Sequence, residues 1–145
     1  MTEIDFYIHA EDRMQVACTL AAKAYERGLR SLIYVSDKST ADRLDALLWN
    51  FQPLSFVPHC RGGDRLASST PILIDHQPEV IDRDDILLNL HPEQATFFSR
   101  FQRLIEIVSE EDEDRLQARE RYRFYRDRGY EIRTHDLSRL NKRGR

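Results

Sequence analysis

The stretch IDFYIHAEDRMQVACTLAAKAYERGLRSLIYVS, residues 4–36, decides the fold. It opens on a short β-rich run, IDFYI at 4–8. A helical pattern follows from Asp12 to Gly28. Asp12 is an N-cap candidate because its carboxylate can accept from the helix's first free N–H groups, and Gly28 suits the left-handed backbone just past a helix end. Between them Val16, Leu20, Ala21 and Ala24 recur at spacings of four, one and three, which is one helix face. The run SLIYVS at 31–36 is almost continuously apolar, as a strand covered on both sides must be. Strand, helix and doubly covered strand predict a βαβ unit and hence a parallel sheet.

Working outward, Asp37 or Ser39 can cap a second helix that puts Ala41, Leu44, Leu47 and Leu48 inward and runs to about Phe51, with Pro53 ending it. SFVPH at 55–59 reads as extended, with Pro58 barring a central position in a sheet. RGGDRLASS at 61–69 is a loop. PILID at 71–75 and DILLNL at 85–90 are two more strands. Residues 94–101 form a short helix or turn with Phe97, Phe98 and Phe101 at core spacing. RLIEIV at 103–108 is a further strand. The acidic run at 110–114 opens a long helix to about Arg128, stopped by Gly129. The expectation is an α/β chain: a single-domain, Rossmann-like, mostly parallel sheet with helices on both faces. The ordered domain spans 1–133, and 134–145 is a basic, flexible C-terminal tail.

Composition limits what such a domain does. A chain of 145 residues buries roughly 70% of its unfolded surface as one unit. Two cysteines make no disulfide framework and no four-cysteine zinc site. The apolar runs are too short to span a bilayer, and MTEIDFYIHA has acids where a signal peptide needs a basic start, so the expected location is cytoplasmic, away from membranes. The net charge of -3 hides an asymmetry. Residues 115–145 carry 11 of the 22 Lys and Arg with 4 acids, for +7, which leaves the first 114 residues at -10. A basic end of that size suits an acidic partner.

Sites for chemistry do not assemble. The first strand leads into His9, Ala10, Glu11 and Asp12, with no glycine to let backbone N–H groups approach a pyrophosphate, and with acids that repel it. No G-x-x-x-x-G-K-[ST] and no G-x-S-x-G occurs. His59 and Cys60 are adjacent in an extended run, so their side chains diverge. Cys18 sits in an apolar helix face as a small hydrophobe. The five histidines show no metal spacing. Asp82, Asp84 and Asp85 read as a solvated turn rather than a cation site. No cofactor, no metal and no nucleotide site is expected.

The pattern that stands out lies in RLQARERYRFYRDRG, residues 115–129. At about 100° per residue, Arg115, Arg119, Tyr122 and Arg126 fall within about 60° of one another. Arg123 flanks this stripe on one side, Ala118 and Tyr125 on the other. Guanidiniums hold carboxylates by paired hydrogen bonds, and a tyrosine among them adds a flat apolar wall. That surface fits a peptide with several acids and an apolar end group; it also fits a single-stranded nucleic acid through phosphate contacts and stacking. Pairing with Glu120 and the acidic first turn accounts for the acids but not for the alignment with tyrosine. A second cluster is Trp49 with Phe51, Leu54, Phe56, Val57 and Pro58, either core or an apolar patch for a protein partner.

Two stretches, LDALLWNFQPLSFVPH at 44–59 and ARERYRFYRDRGYEI at 118–132, resemble the chi (χ) subunit of the bacterial DNA polymerase III holoenzyme, and the opening TEIDFYI and the strand–helix order fit it too. The resemblance implies a clamp-loader accessory protein without catalysis of its own. It implies two partners, the psi (ψ) subunit on one side and, on another, the acidic C-terminal tail of single-stranded DNA-binding protein (SSB), which ends in phenylalanine and a free carboxylate. DNA contact is then indirect, through SSB. The tail-binding positions implied are Arg115, Arg119, Tyr122, Arg123 and Arg126, with Val108 as an apolar wall; Arg115 and Arg123 stand where lysine is familiar in the family. The positions implied for psi, or for a helicase-like partner, are Trp49 and Phe56. Two alternatives are a module that binds single-stranded nucleic acid directly and a degenerate nucleotide-binding hydrolase.

Overall fold

The computed structural model describes residues 1–50 and 57–138. Among them run β1 (Glu3–Ala10), α1 (Arg13–Glu26), β2 (Ser31–Tyr34), α2 (Lys38–Asn50), β3 (His59–Arg61), β4 (Ile72–Asp75), β5 (Ile86–Asn89), β6 (Arg103–Ser109), α3 (Asp112–Asp127) and β7 (Ile132–Asp136). The described strands form one sheet in the order β3-β4-β2-β5-β6-β1-β7, with every pairing parallel. The expected α/β architecture is what the chain adopts. Among the described residues no helix is long and apolar enough to cross a membrane.

The two sides of the sheet follow from side-chain alternation. Ile33, Ile72, Ile74, Leu88 and Ile107 bury one face beneath α1 and α2, against Ala17, Ala21, Leu44 and Leu48. Their neighbours in sequence, Leu32, Leu73, Leu87 and Val108, bury the other face with Leu104, Ile4, Phe6, Phe98, Phe101 and, from α3, Ala118 and Tyr125. Strands with apolar residues on both faces must be covered twice, which is why SLIY and ILLN carry almost no polar positions.

Local signals place the helices. Asp12 accepts from the N–H groups of Met14 and Gln15 at 3.1 and 3.2 Å and starts α1; Gly28, at φ 76°, ends it. Asp37 accepts from the Thr40 N–H at 2.7 Å, a bond that holds its carboxyl below the usual range. Arg13 lies across the space between these helix starts. Its Nη2 donates to the Leu90 carbonyl at 2.9 Å, its Nε donates to the Ile107 carbonyl at 3.1 Å, and Nε stands 3.6 Å from Asp114. The crevice outside the carboxyl ends of β1, β2, β5 and β6, where a Rossmann-like sheet takes its ligand, is thus furnished with the chain's own carboxylates and a guanidinium. A phosphate there would meet acids at both helix N-termini.

One boundary differs from expectation. The ordered domain does not stop at Arg133: Thr134, His135 and Asp136 pair with Phe6, Tyr7 and Ile8 as an edge strand, so the first part of the expected tail belongs to the sheet. Charge fastens it. Asp5, all but buried, holds Arg133 at 3.0 Å and His135 at 2.9 Å, and His135 stacks on Tyr7 with centroids 4.4 Å apart. The remainder of the expected tail, 139–145, lies outside the described residues.

Candidate peptide-binding site

Helix α3 presents two stripes to its surroundings. The inner one, Asp114, Ala118, Arg121 and Tyr125, recurs at spacings of four, three and four and is buried against the sheet. The stripe singled out from the sequence, Arg115, Arg119, Tyr122 and Arg126, is the same series moved one residue on. It therefore lies about 100° round the helix, at the flank where the buried face meets solvent. Acids at Asp112, Glu113 and Asp114 favour the first turn, and Gly129 at φ 85° releases the chain toward β7.

The inner stripe pins the helix through Glu106, an acid wholly buried on β6. Its carboxylate accepts from Arg121 Nε at 3.0 Å, from the Tyr125 hydroxyl at 2.6 Å and from the Asn89 amide at 3.1 Å. Burial pushes the Glu106 carboxyl up, against the opposing pull of Arg121, Tyr125 and Asn89. Arg121 also donates to the Pro92 carbonyl at 2.7 Å. The flank stripe is placed by this rigid anchorage, as Arg121 and Tyr125 alternate with Arg119, Tyr122 and Arg126 along one helix.

Between that flank and the ends of β1 and β6 is a cavity of about 200 Å³. Its wall is apolar: Phe6 and Ile8 from β1, Val108 from β6, Ala118 from α3. Tyr122, half-buried, closes one side with its ring edge-on to Phe6 at 5.3 Å. Exposed Arg115 and Arg119 stand on the helix side, and His9 completes the lining. A cavity of about 150 Å³ already accepts a benzene ring, so a benzyl side chain fits this one. Four of the expected residues, Val108, Arg115, Arg119 and Tyr122, are brought together here. Arg123 and Arg126 are not part of the lining; they extend the cationic flank along the helix, beside Glu120 at 3.7 Å and Asp127 at 3.8 Å. Sequence reasoning did not name Phe6, Ile8 or His9 for the site. The alternation of IDFYI could have pointed Phe6 and Ile8 to the α3 face; nothing comparable marks His9.

Trp49 sits in the last turn of α2, 58% exposed, with its ring edge-on to His59 at 5.0 Å. It is therefore not core. Phe56, expected to share its patch, lies outside the described residues. A larger hollow of about 480 Å³ between the 62–68 and 76–83 loops has its most buried cation, Arg83, already committed to Asp82 and to the carbonyls of Ser31, Ala67, Thr70 and Pro71. In the turn read as solvated, Asp82 and Asp84 are exposed, Asp82 pairs with Arg83 and Arg30, and Asp85 accepts from the Arg30 N–H; no cluster of metal-ligating residues occurs among the described residues.

Comparison with known proteins places this chain in a family. Residues 1–133 match the family model described as DNA polymerase III chi subunit, HolC. The DNA polymerase III subunit chi of Pseudomonas aeruginosa is 34% identical over 97% of this chain and 100% of its own length. That of Haemophilus influenzae is 34% identical over 91% of this chain and 95% of its own, and that of Escherichia coli 36% identical over 83% and 82%. Among solved structures, the C-terminal domain of the DEAD-box protein Dbp5 is similar with a TM-score of 0.61 and 17% identity, covering 94% of this chain and 90% of that one, which shows the fold alone.

Proposed function

The chain belongs to the DNA polymerase III chi-subunit family, and from that premise we propose that it is a non-catalytic replication adaptor whose α3 flank grips the acidic C-terminal tail of SSB. The supporting observation is the cavity itself, an apolar socket sized for one aromatic ring with Arg115 and Arg119 in its lining. The terminal phenylalanine enters between Tyr122, Val108, Phe6 and Ile8. Arg115 and Arg119 take the terminal carboxylate and nearest acids, and Arg123 and Arg126 the acids further along. Exposed ion pairs are worth about 0–1 kcal/mol each and a buried benzyl group about 1.5–3 kcal/mol, so the grip is weak, micromolar at its tightest, and no single contact carries it. Being exposed, the cationic part weakens with salt.

A second contact lies at the end of α2. Trp49, exposed at the end of α2, together with Phe56, serves as the anchor for psi or for a helicase-like protein and ties the adaptor to the clamp loader. DNA is reached through SSB.

Fluorescence anisotropy with a labelled SSB tail peptide, with and without its final phenylalanine, tests the socket. The expected result is micromolar binding that needs the phenylalanine and is lost in Arg119→Ala and Tyr122→Ala while the melting curve is kept. Equal affinity for the two peptides overturns it, and retardation of an oligonucleotide by the pure protein, reversed in the same variants, assigns the flank to nucleic acid instead.

A further inference from the structure

Ile8 and His9 are consecutive residues, yet both line the cavity beneath α3. In a regular strand consecutive side chains point to opposite faces, so His9 would join Tyr7 on the α1 side. A bulge changes this. Tyr7 stands opposite Ile107 and Ala10 opposite Ser109, so two residues of β1, Ile8 and His9, face Val108 alone. His9 absorbs the extra residue at φ 60°, the one positive φ outside glycine among the described residues. That left-handed conformation is unfavourable for a residue with a side chain, and it accompanies a backbone that sets both Ile8 and His9 along the cavity. The ring is half-buried and forms no hydrogen bond, ion pair or ring stack with another described residue. The cations of the cavity, Arg115 and Arg119, come from the helix wall; His9, whose imidazole carries an N–H donor, comes from the strand wall.

We propose that His9 is a specificity-determining residue of this socket, donating a hydrogen bond to the free carboxylate of a chain terminus whose last side chain fills the cavity. The inference rests on the reading of the socket given above and adds the group that separates a chain end from an internal segment. A terminal residue carries its carboxylate one bond from the Cα that bears the buried ring, so the carboxylate lies at the mouth, between the guanidiniums of α3 and the imidazole of β1. An amide at that point presents one acceptor oxygen and no charge, and gains less from a ring flanked by two guanidiniums.

The test uses two fluorescein-labelled acidic peptides ending in phenylalanine, one with a free C-terminal carboxylate and one with a C-terminal amide, titrated against the full chain and against His9→Gly. Glycine adopts φ 60° without strain, so the variant keeps the bulge and removes only the ring. The wild type is expected to prefer the free acid by about tenfold, and His9→Gly by about threefold or less, with affinity for the amide changed less than about twofold. Equal weakening of both peptides would mean that the ring is merely a wall, and an unchanged preference that it is a bystander; either overturns the proposal. If the wild type binds neither peptide, the socket reading fails and His9 with it, whereas loss confined to the preference separates the two. Should His9→Gly lower the melting temperature, the titrations are made well below its transition, and the ratio of the two affinities within the one folded variant carries the same comparison.

Discussion

Replacing Glu106 with glutamine alters the charge of the buried anchor and almost nothing of its shape. The amide oxygen can still accept from Tyr125 or Asn89, but Arg121, 1% exposed, loses its counter-ion. An arginine does not shed its proton, so the cost of an uncompensated buried charge is felt in full, about 3–5 kcal/mol. For a domain of this size each kcal/mol moves Tm by about 2–4 °C, so calorimetry should show a fall of about 6–20 °C. Arg121→Met behaves differently, because the acid left behind can be neutralised. Burial raises Glu106's proton affinity above that of the unfolded chain. Its contribution to stability is therefore complete below the ordinary carboxylate range and is lost as pH rises through the raised folded-state value. The deficit of Arg121→Met should then be smaller at pH 5 than at pH 8. The double variant Glu106→Leu/Arg121→Met, with no buried charge left, should lose less than either single one. A Glu106→Gln protein within about 1 kcal/mol of wild type, or a double variant no better than the singles, would refute the reasoning.

Three further outcomes follow from the geometry. Burial pushes the Cys18 thiol up to about 12 while Cys60 is partly exposed, so a colourimetric thiol reagent should titrate one cysteine in the native protein and two in denaturant. Arg13→Ala strips the Leu90 and Ile107 carbonyls of a donor and Asp114 of its neighbour, and urea unfolding should show a loss of about 1–3 kcal/mol. Asp5→Asn removes the charge that holds Arg133 and His135, and Arg103 at the start of β6, so hydrogen exchange of the amides of 132–136 should quicken about tenfold or more, with the β6 amides from Ile105 to Val108 unaffected.

What the sequence disclosed, and what it hid, divides along physical lines. The inner strands were legible because burial on two faces leaves runs such as SLIY and RLIEIV without alternation, and the helices because Asp12, Gly28 and Gly129 have backbone reasons to be where they are. Strand β7 was not legible. As a solvated edge it turns only Ile132 to the core, too little to show a pattern, and IRTHD is held by β1's hydrogen bonds and by Asp5, a partner far away in the chain. Arg121 was hidden among arginines that look alike in sequence. The clue was on its partner: a lone acid inside RLIEIV has to be answered by a donor from somewhere. The stripe of Arg115, Arg119 and Tyr122 could be read because helical spacing is regular, whereas His9 enters the cavity through an irregularity, which periodic reasoning cannot anticipate.

The furnishing of the strand-end crevice by Asp12, Asp37 and Arg13 has a kinetic side. On the proposed reading the ligand is met not there but on a shallow flank open to the surrounding water. No lid must swing aside before capture, and none holds the guest afterwards. Arrival is then limited by diffusion and departure by the depth of one small hollow, so each grip is brief and renewable, which suits a tether that has to let go and catch hold again as the structure it follows moves on.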